Sequence, residues 1–254
     1  MIKTVKIRNI VLGEGAPKII VPIVDKTHEA IIAKVRSFGK RKIDIIEWRM
    51  DHFKDVHDTA AVVSVLKDLR AELPDMTILA TFRTKKEGGE LDISAEEYTR
   101  LNKAVADSGC ADLVDVEIFS GDDVVKENID NIHAAGAKVV ASNHDFAKTP
   151  SKDDLIARMR KMQDMGADLP KLAMMPKNPG DVLTLLEATW EMNAKYADRP
   201  IFTMSMSGVG TISRFAGEVF GSCATFGSVG QSSAPGQATV EDLATVLDIV
   251  HRGL

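Results

Sequence analysis

Two hydrophobic patterns take turns along this chain from residue 19 to its C-terminus. Short apolar runs bounded by turn residues alternate with stretches whose apolar residues recur every three to four positions. The first pattern reads as a strand buried on both faces, the second as a helix with one buried side. Strands are predicted at residues 19–24, 43–50, 77–82, 113–119, 138–142, 169–175, 200–207 and 223–229. The helical stripes between them are Ile31, Ile32, Val35 and Phe38; Val62, Val65, Leu66 and Leu69; Tyr98, Leu101 and Val105; Val125, Ile129 and Ile132; and Leu155, Met159 and Met162. A further helix runs from Asp181 through Leu186 and Trp190, a short one lies near Ile212 to Val219, and the last carries Leu243, Val246, Leu247 and Val250. Ser94-Ala95-Glu96-Glu97 is a capping box, in which the serine and the second glutamate satisfy backbone N–H groups at a helix start. Thr239-Val240-Glu241-Asp242 opens the last helix in the same way.

Before these repeats, residues 4–12 alternate β-branched and basic side chains and run into Gly13-Glu14-Gly15, which predicts a β-hairpin. Strand and helix then alternate eight times without a linker, charge block or low-complexity tract. That pattern predicts an α/β fold, a closed (β/α)8 TIM barrel with an N-terminal β-hairpin. The expectation is one barrel domain over residues 1–254, with residues 1–18 closing its bottom. A doubly wound open sheet is disfavoured, because Val24-Asp25-Lys26-Thr27 lacks the glycines of a dinucleotide-binding turn.

Composition narrows the class. With 254 residues, 44% hydrophobic and 27% charged, the chain is globular and long enough for a large core. A net charge of -5 argues against a nucleic-acid partner, and Lys40-Arg41-Lys42 and Lys85-Lys86 read as solvated faces. Cys110 and Cys223 show no metal-ligand spacing, which points to a reducing compartment. The start shows no secretory pattern, and no apolar run approaches the ~18 residues of a membrane span. A cytoplasmic location is expected, with no membrane.

Barrel chemistry is built where strands end at their carboxyl side. The polar residues there are Glu47, Arg49, Asp51 and His52; Arg83 and Lys85 to Glu87; Asp115 and Glu117; Asn143, His144 and Asp145; Lys171; Arg214; and Ser232, Ser233 and Gln237. Lys171 stands out, one lysine inside the apolar run Leu169-Pro170-Lys171-Leu172-Ala173-Met174-Met175-Pro176. Burial pulls a lysine pKa down from about 10.4. The residue is then either a snorkelling or ion-paired side chain, or a desolvated amine set for Schiff-base chemistry on a carbonyl.

His144, in Ser142-Asn143-His144-Asp145-Phe146, is the histidine at the barrel rim one strand before Lys171, and so the candidate proton carrier. Glu47, Arg49 and Asp51 alternate onto one face; with Arg83 and Arg214 they could hold an acidic, hydroxylated substrate. A metal site using His144, Asp115, Glu117 and Glu47 is disfavoured by the cationic charge of Lys171 and three arginines. The 205–210 loop matches no nucleotide motif, so Met204 and Met206 read as apolar walls. Residues 227–237, rich in glycine and serine, read as a mobile lid or a plain connecting loop.

Gly13-Glu14-Gly15-Ala16-Pro17-Lys18-Ile19, Glu47-Trp48-Arg49, Thr81-Phe82-Arg83, Glu87-Gly88-Gly89-Glu90, Ser142-Asn143-His144-Asp145-Phe146, Pro170-Lys171, Thr203-Met204-Ser205-Met206-Ser207, Ser213-Arg214 and Ser233-Ala234-Pro235-Gly236-Gln237 resemble, in order and nearly end to end, the type I 3-dehydroquinate dehydratases. The resemblance implies a homodimeric barrel that converts 3-dehydroquinate to 3-dehydroshikimate in the shikimate pathway, without metal or organic cofactor. It implies Lys171 as the Schiff-base lysine, His144 as general acid/base and Glu87 beside that histidine. Glu47, Arg49, Arg83, Arg214, Ser233 and Gln237 match substrate-holding positions. Pro22 stands where some members carry serine, which removes one hydroxyl contact. The enzymatic rival is a class I aldolase on a small hydroxylated carbonyl substrate. It would use the same lysine, but an evident phosphate nest after strands seven and eight is missing.

Overall fold

The computed structural model describes residues 4–230 and 236–254. Strands β1 (Val5–Ile7) and β2 (Ile10–Leu12) form the antiparallel hairpin. Its turn is Arg8-Asn9, with Arg8 at φ 49°, so the hairpin closes before the glycines that seemed to end it. An arginine holds this left-handed conformation because its guanidinium is tied down, to the Asp112 carboxylate at 2.7 Å and the Pro74 carbonyl at 2.8 Å.

The barrel strands follow as β3 (Lys18–Ile23), β4 (Ile45–Arg49), β5 (Thr77–Thr81), β6 (Leu113–Glu117), β7 (Lys138–Asp145), β8 (Leu169–Met174), β9 (Phe202–Ser205) and β10 (Ala224–Ser228). From β3 to β9 each pairs in parallel with the next, and β10 pairs with β3. The ring closes between β9 and β10 through the Ile201–Ser222 bridge, where the Cys223 N–H donates to the Ile201 carbonyl at 2.8 Å. A ninth short strand, β11 (Ala238–Thr239), adds to β10.

Outside lie α1 (His28–Arg36), α2 (Thr59–Glu72), α3 (Ala95–Asp107), α4 (Asp122–Ala134), α5 (Lys152–Asp164), α6 (Pro179–Glu191) and α9 (Val240–Gly253). The short helix expected near residues 212–219 is two, α7 (Thr211–Phe215) and α8 (Gly217–Phe220). Ser94 and Thr239 cap α3 and α9 as anticipated, but the Glu97 carboxylate of the expected capping box pairs with His57 at 2.6 Å instead.

The apolar runs are continuous because each strand faces two separate cores. Odd and even positions point to opposite sides. Ile46 and Trp48, Ile78 and Ala80, Val114 and Val116, and Leu172 and Met174 pack against the helices. Ile20, Ile45, Leu79, Leu113, Val140 and Leu169 fill the barrel interior together with Val5, Ile7, Ile10 and Leu12 of the hairpin. The hairpin thus packs its apolar residues onto the amino-terminal end of the interior.

Three aspartates anchor strand starts at that same end. Asp44 accepts the Ile19 N–H at 2.7 Å, Asp112 that of Ile78 at 2.8 Å and Asp168 that of Val139 at 2.8 Å. One strand runs longer than expected. The β7–β8 ladder continues to Asp145–Met174, which puts Asn143 and His144 on the strand rather than in the loop after it.

Candidate active site

Going up the interior, apolar positions give way to polar ones on the same inward-facing side. β4 presents Glu47 after Ile45 and then Arg49, β6 presents Asp115 and Glu117 after Leu113, β7 presents Ser142 and His144 after Val140, and β8 presents Lys171 after Leu169. They open into a cleft of about 680 Å³, counted with its mouth, whose walls include Glu47, Arg49, Arg83, Glu87, His144, Lys171, Met204, Met206, Arg214 and Gln237. Of the sequence-predicted site residues, Ser233 lies outside the described residues, as does the middle of the 227–237 loop, expected as a mobile lid or a plain connection.

Lys171 is 2% exposed. Its nearest carboxylate oxygens, on Glu47 and Asp115, stand 3.6 and 3.9 Å from Nζ, ion-pair distances but not hydrogen bonds. Both carboxylates are committed elsewhere, Glu47 accepting from the Thr81 hydroxyl at 3.0 Å and Asp115 from the Ser142 hydroxyl at 2.7 Å. Burial pulls the lysine pKa below its ordinary value; the two carboxylates oppose this, while Arg83 and Arg49 reinforce it.

On the adjacent strand, Ser142 is in register with Lys171 and His144 with Ala173, so the imidazole lies one inward position above the amine. Glu87 holds it. Its Oε2 accepts the His144 backbone N–H at 2.9 Å and pairs with Nδ1 at 2.9 Å, while Oε1 accepts the Asn143 amide N–H at 3.0 Å. This network assigns the ring hydrogen to Nδ1 and leaves Nε2 as the basic atom when Glu87 is ionised. Burial, with Arg83 and Lys171, keeps the His144 pKa well below its ordinary value. Burial pushes Glu87 up to about 7 against the pull of Arg83, with Glu117 adding to the rise. Phe146 stacks on the imidazole at 6.5 Å and 17°. Gly88, at φ 85°, makes room for it, since a Cβ there would lie 2.4 Å from the Phe146 ring.

The arginines differ in how far they are committed. Arg49 is locked by two hydrogen bonds of 2.8 Å to Asp51. Arg83 forms an ion pair with Asp115 at 2.9 Å and donates to Glu117 and Ser142 at 2.9 Å. It faces the cleft as the hub of a buried network. Arg214, from α7 after β9, is on the far side of the ring from β5. Burial lowers its pKa to about 10, which leaves it a cation at neutral pH.

In the sequence Asp115 and Glu117 carry only a disfavoured metal-ligand reading, Ser142 carries none of its own, and Tyr98 reads as helix core. Yet the Tyr98 hydroxyl donates to the Asp115 carbonyl at 3.3 Å and accepts the Glu117 N–H at 3.1 Å, bracing β6 from outside. Inward parity was the available signal for Asp115, Glu117 and Ser142; nothing in the sequence marked Tyr98. Phe226 on β10 places its ring face 4.6 Å from the Lys171 Nζ.

Fold and cleft together define an α/β-barrel enzyme whose reactive groups gather at the carboxyl ends of the strands. The family model for type I 3-dehydroquinase matches residues 19–253, and the chain belongs to that family. It is 52% identical over 250 residues to the 3-dehydroquinate dehydratase of Escherichia coli O1:K1, with 98% of this chain and 99% of that one covered. The type I 3-dehydroquinate dehydratase structure from Clostridium difficile, with covalent modified comenic acid, matches at a TM-score of 0.98 and 49% identity, covering 100% of both chains. The 3-dehydroquinate dehydratase structure from Geobacillus kaustophilus matches at 0.95 and 37% identity, covering 98% of this chain and 97% of that one.

Proposed function

We propose that this protein is a hydro-lyase that dehydrates 3-dehydroquinate to 3-dehydroshikimate, in the shikimate pathway, through a Schiff base on Lys171. The observation that carries this reading is a lysine amine, 2% exposed, beside a cleft and one inward position below a Glu87-bound imidazole. The covalent modification named for the Clostridium difficile relative agrees with it.

The neutral amine adds to the ketone carbon. The nitrogen keeps one hydrogen, and the carbonyl oxygen departs as water with the other hydrogen and one added proton, leaving an iminium. This cation acidifies the neighbouring C–H. His144 Nε2 takes that proton and the electrons move into an enamine. Their return expels the β-hydroxyl, which leaves as water with the proton from Nε2, so one imidazole serves both halves. Water then hydrolyses the conjugated iminium and regenerates the amine.

Glu87 orients His144 and supports the positive charge that the ring acquires. Arg214 pairs with the substrate carboxylate, with Gln237 in the same cleft wall, while Glu47 and Arg49 address ring hydroxyls and Met204 and Met206 supply apolar wall. Arg83 lines the same wall, and its ties to Asp115 and Glu117 set how it meets those hydroxyls.

The reading extends to the whole chain as one barrel unit that works as a homodimer. Among the described residues no helix is long and apolar enough to cross a membrane. Cys110 and Cys223 are free thiols, which fits a reducing, cytoplasmic setting.

Borohydride added during turnover should reduce the iminium and leave a substrate-derived mass increase on the peptide containing Lys171. An unchanged Lys171 peptide under turnover overturns the mechanism. Release of an aldehyde in place of an ultraviolet-absorbing enone would make the enzyme an aldolase.

A further inference from the structure

The Lys171 amine passes between two states of different electrical character, and its surroundings suit them unequally. An ammonium has three N–H donors to satisfy, yet the nearest carboxylate oxygens lie 3.6 and 3.9 Å away. A protonated imine at the same nitrogen has one N–H and spreads its charge over a flat C=N unit. Such a cation is weakly hydrated and suits an aromatic face. Phe226 supplies that face, 4.6 Å from Nζ at the ring centroid, with Phe202 on a second side at 6.0 Å. Both rings are buried, at 5% and 1% exposure, and tilt against each other with centroids 6.5 Å apart, so neither swings away freely.

We propose that Phe226 is a catalytic residue of the Schiff-base step, its ring face stabilising the iminium formed on Lys171. The inference rests on the assignment of Lys171 as the nucleophile and adds a source of cation stabilisation that needs no further carboxylate. A third carboxylate beside Nζ would draw the resting amine toward the ammonium form, which cannot attack. An aromatic face attracts either cation but offers no oxygen acceptor, so it leaves the three N–H donors of an ammonium unmet where an iminium has one. In the balanced step, amine plus ketone plus one proton gives iminium plus water, and the charge so gained is the one the ring faces.

The test is a series in which Phe226 is replaced by mono-, di- and trifluorophenylalanine, which drain the ring face of electron density with little change of shape, and by cyclohexylalanine, which keeps the bulk and removes the π face. Rapid mixing with 3-dehydroquinate followed by borohydride quenching measures the fraction of Lys171 trapped as adduct. The equilibrium between free enzyme and trappable iminium should fall steadily with each fluorine, and by roughly ten- to thirty-fold for cyclohexylalanine, as expected of a desolvated cation–π contact. Equal trapping across the series overturns the role of Phe226 while leaving Lys171 as the nucleophile. Absence of any adduct in the parent enzyme overturns the Schiff-base reading itself, so the two failures are distinguishable.

Discussion

Glu87 takes three N–H donors on one buried carboxylate, from the Asn143 amide, the His144 backbone and the His144 ring. Burial pushes its pKa up to about 7 from 4.5, so the folded protein binds more protons than the unfolded chain between those values. Stability therefore falls as pH rises from 4.5 to 7 on account of this group. Glu87→Gln keeps the shape and removes the titration. The melting temperature of the variant relative to the parent should rise across that window, by the equivalent of a few kcal/mol at most. A constant difference between the two melting curves would remove Glu87 as the cause. The proposed mechanism calls for the opposite form. An ionised Glu87 keeps the hydrogen on Nδ1 and Nε2 free as a base, so kcat/KM in the parent should decline as pH drops through about 7. In Glu87→Gln that limb should vanish and turnover should fall roughly 10²-fold or more, in the manner of a lost tautomer-fixing carboxylate. The resemblance placed Glu87 near the histidine from its motif alone. Its second oxygen's bond to Asn143 was not legible, because that contact depends on β7 extending past Ser142.

Strands and helices were legible as elements because each carries its own period. The apolar runs marked all eight barrel strands, and the caps at Ser94 and Thr239 stand where the side-chain chemistry demands. What escaped the pattern are contacts that join elements far apart in sequence. Asp112 is the clearest case. Its carboxylate accepts the Ile78 N–H at 2.8 Å, pairs with Arg70 at 2.6 Å and holds Arg8 of the hairpin turn at 2.7 Å. In the sequence it is one more aspartate before a strand. Asp112→Ala removes a charged acceptor from Arg70, from Arg8 and from the Ile78 N–H at the start of β5, leaving the arginines only backbone carbonyls, and should cost about 3 kcal/mol in denaturant unfolding. The site lies at the other end of the barrel, so KM at a temperature where the variant is folded should match the parent. A loss below about 0.5 kcal/mol would mean that water replaces the carboxylate fully.

For the molecule as a whole, the barrel separates stability from chemistry by its ends. The lower interior is apolar and is packed by the hairpin; the upper interior gathers Lys171, Glu47, Asp115, Glu117, Arg83 and His144. Leu12 sits in the lower core at 1% exposure. Leu12→Ala should therefore destabilise by roughly 2–5 kcal/mol, with the borohydride adduct on Lys171 still forming in the folded fraction. Loss of the adduct in folded variant would show that the hairpin sets the geometry of the upper site. The buried charges balance only in three dimensions. Arg83 meets Asp115 and Glu117 because β5 and β6 pair with Leu79 beside Leu113, which brings inward positions of both strands to one height.

By itself the sequence determined the class of the fold and the order of its elements, and it singled out Lys171 and His144 as the candidate reactive pair. Hydrophobic period and cap chemistry are local, and a lysine in an apolar strand announces its own desolvation cost. Tertiary structure alone decided which carboxylates stand off from that lysine, that Arg83 and Arg49 are held by acids, that Tyr98 braces β6, and that Phe226 faces the amine. These depend on strand register and on closure of the ring. Such quantities arise from packing the whole chain at once and leave no period in any stretch of it.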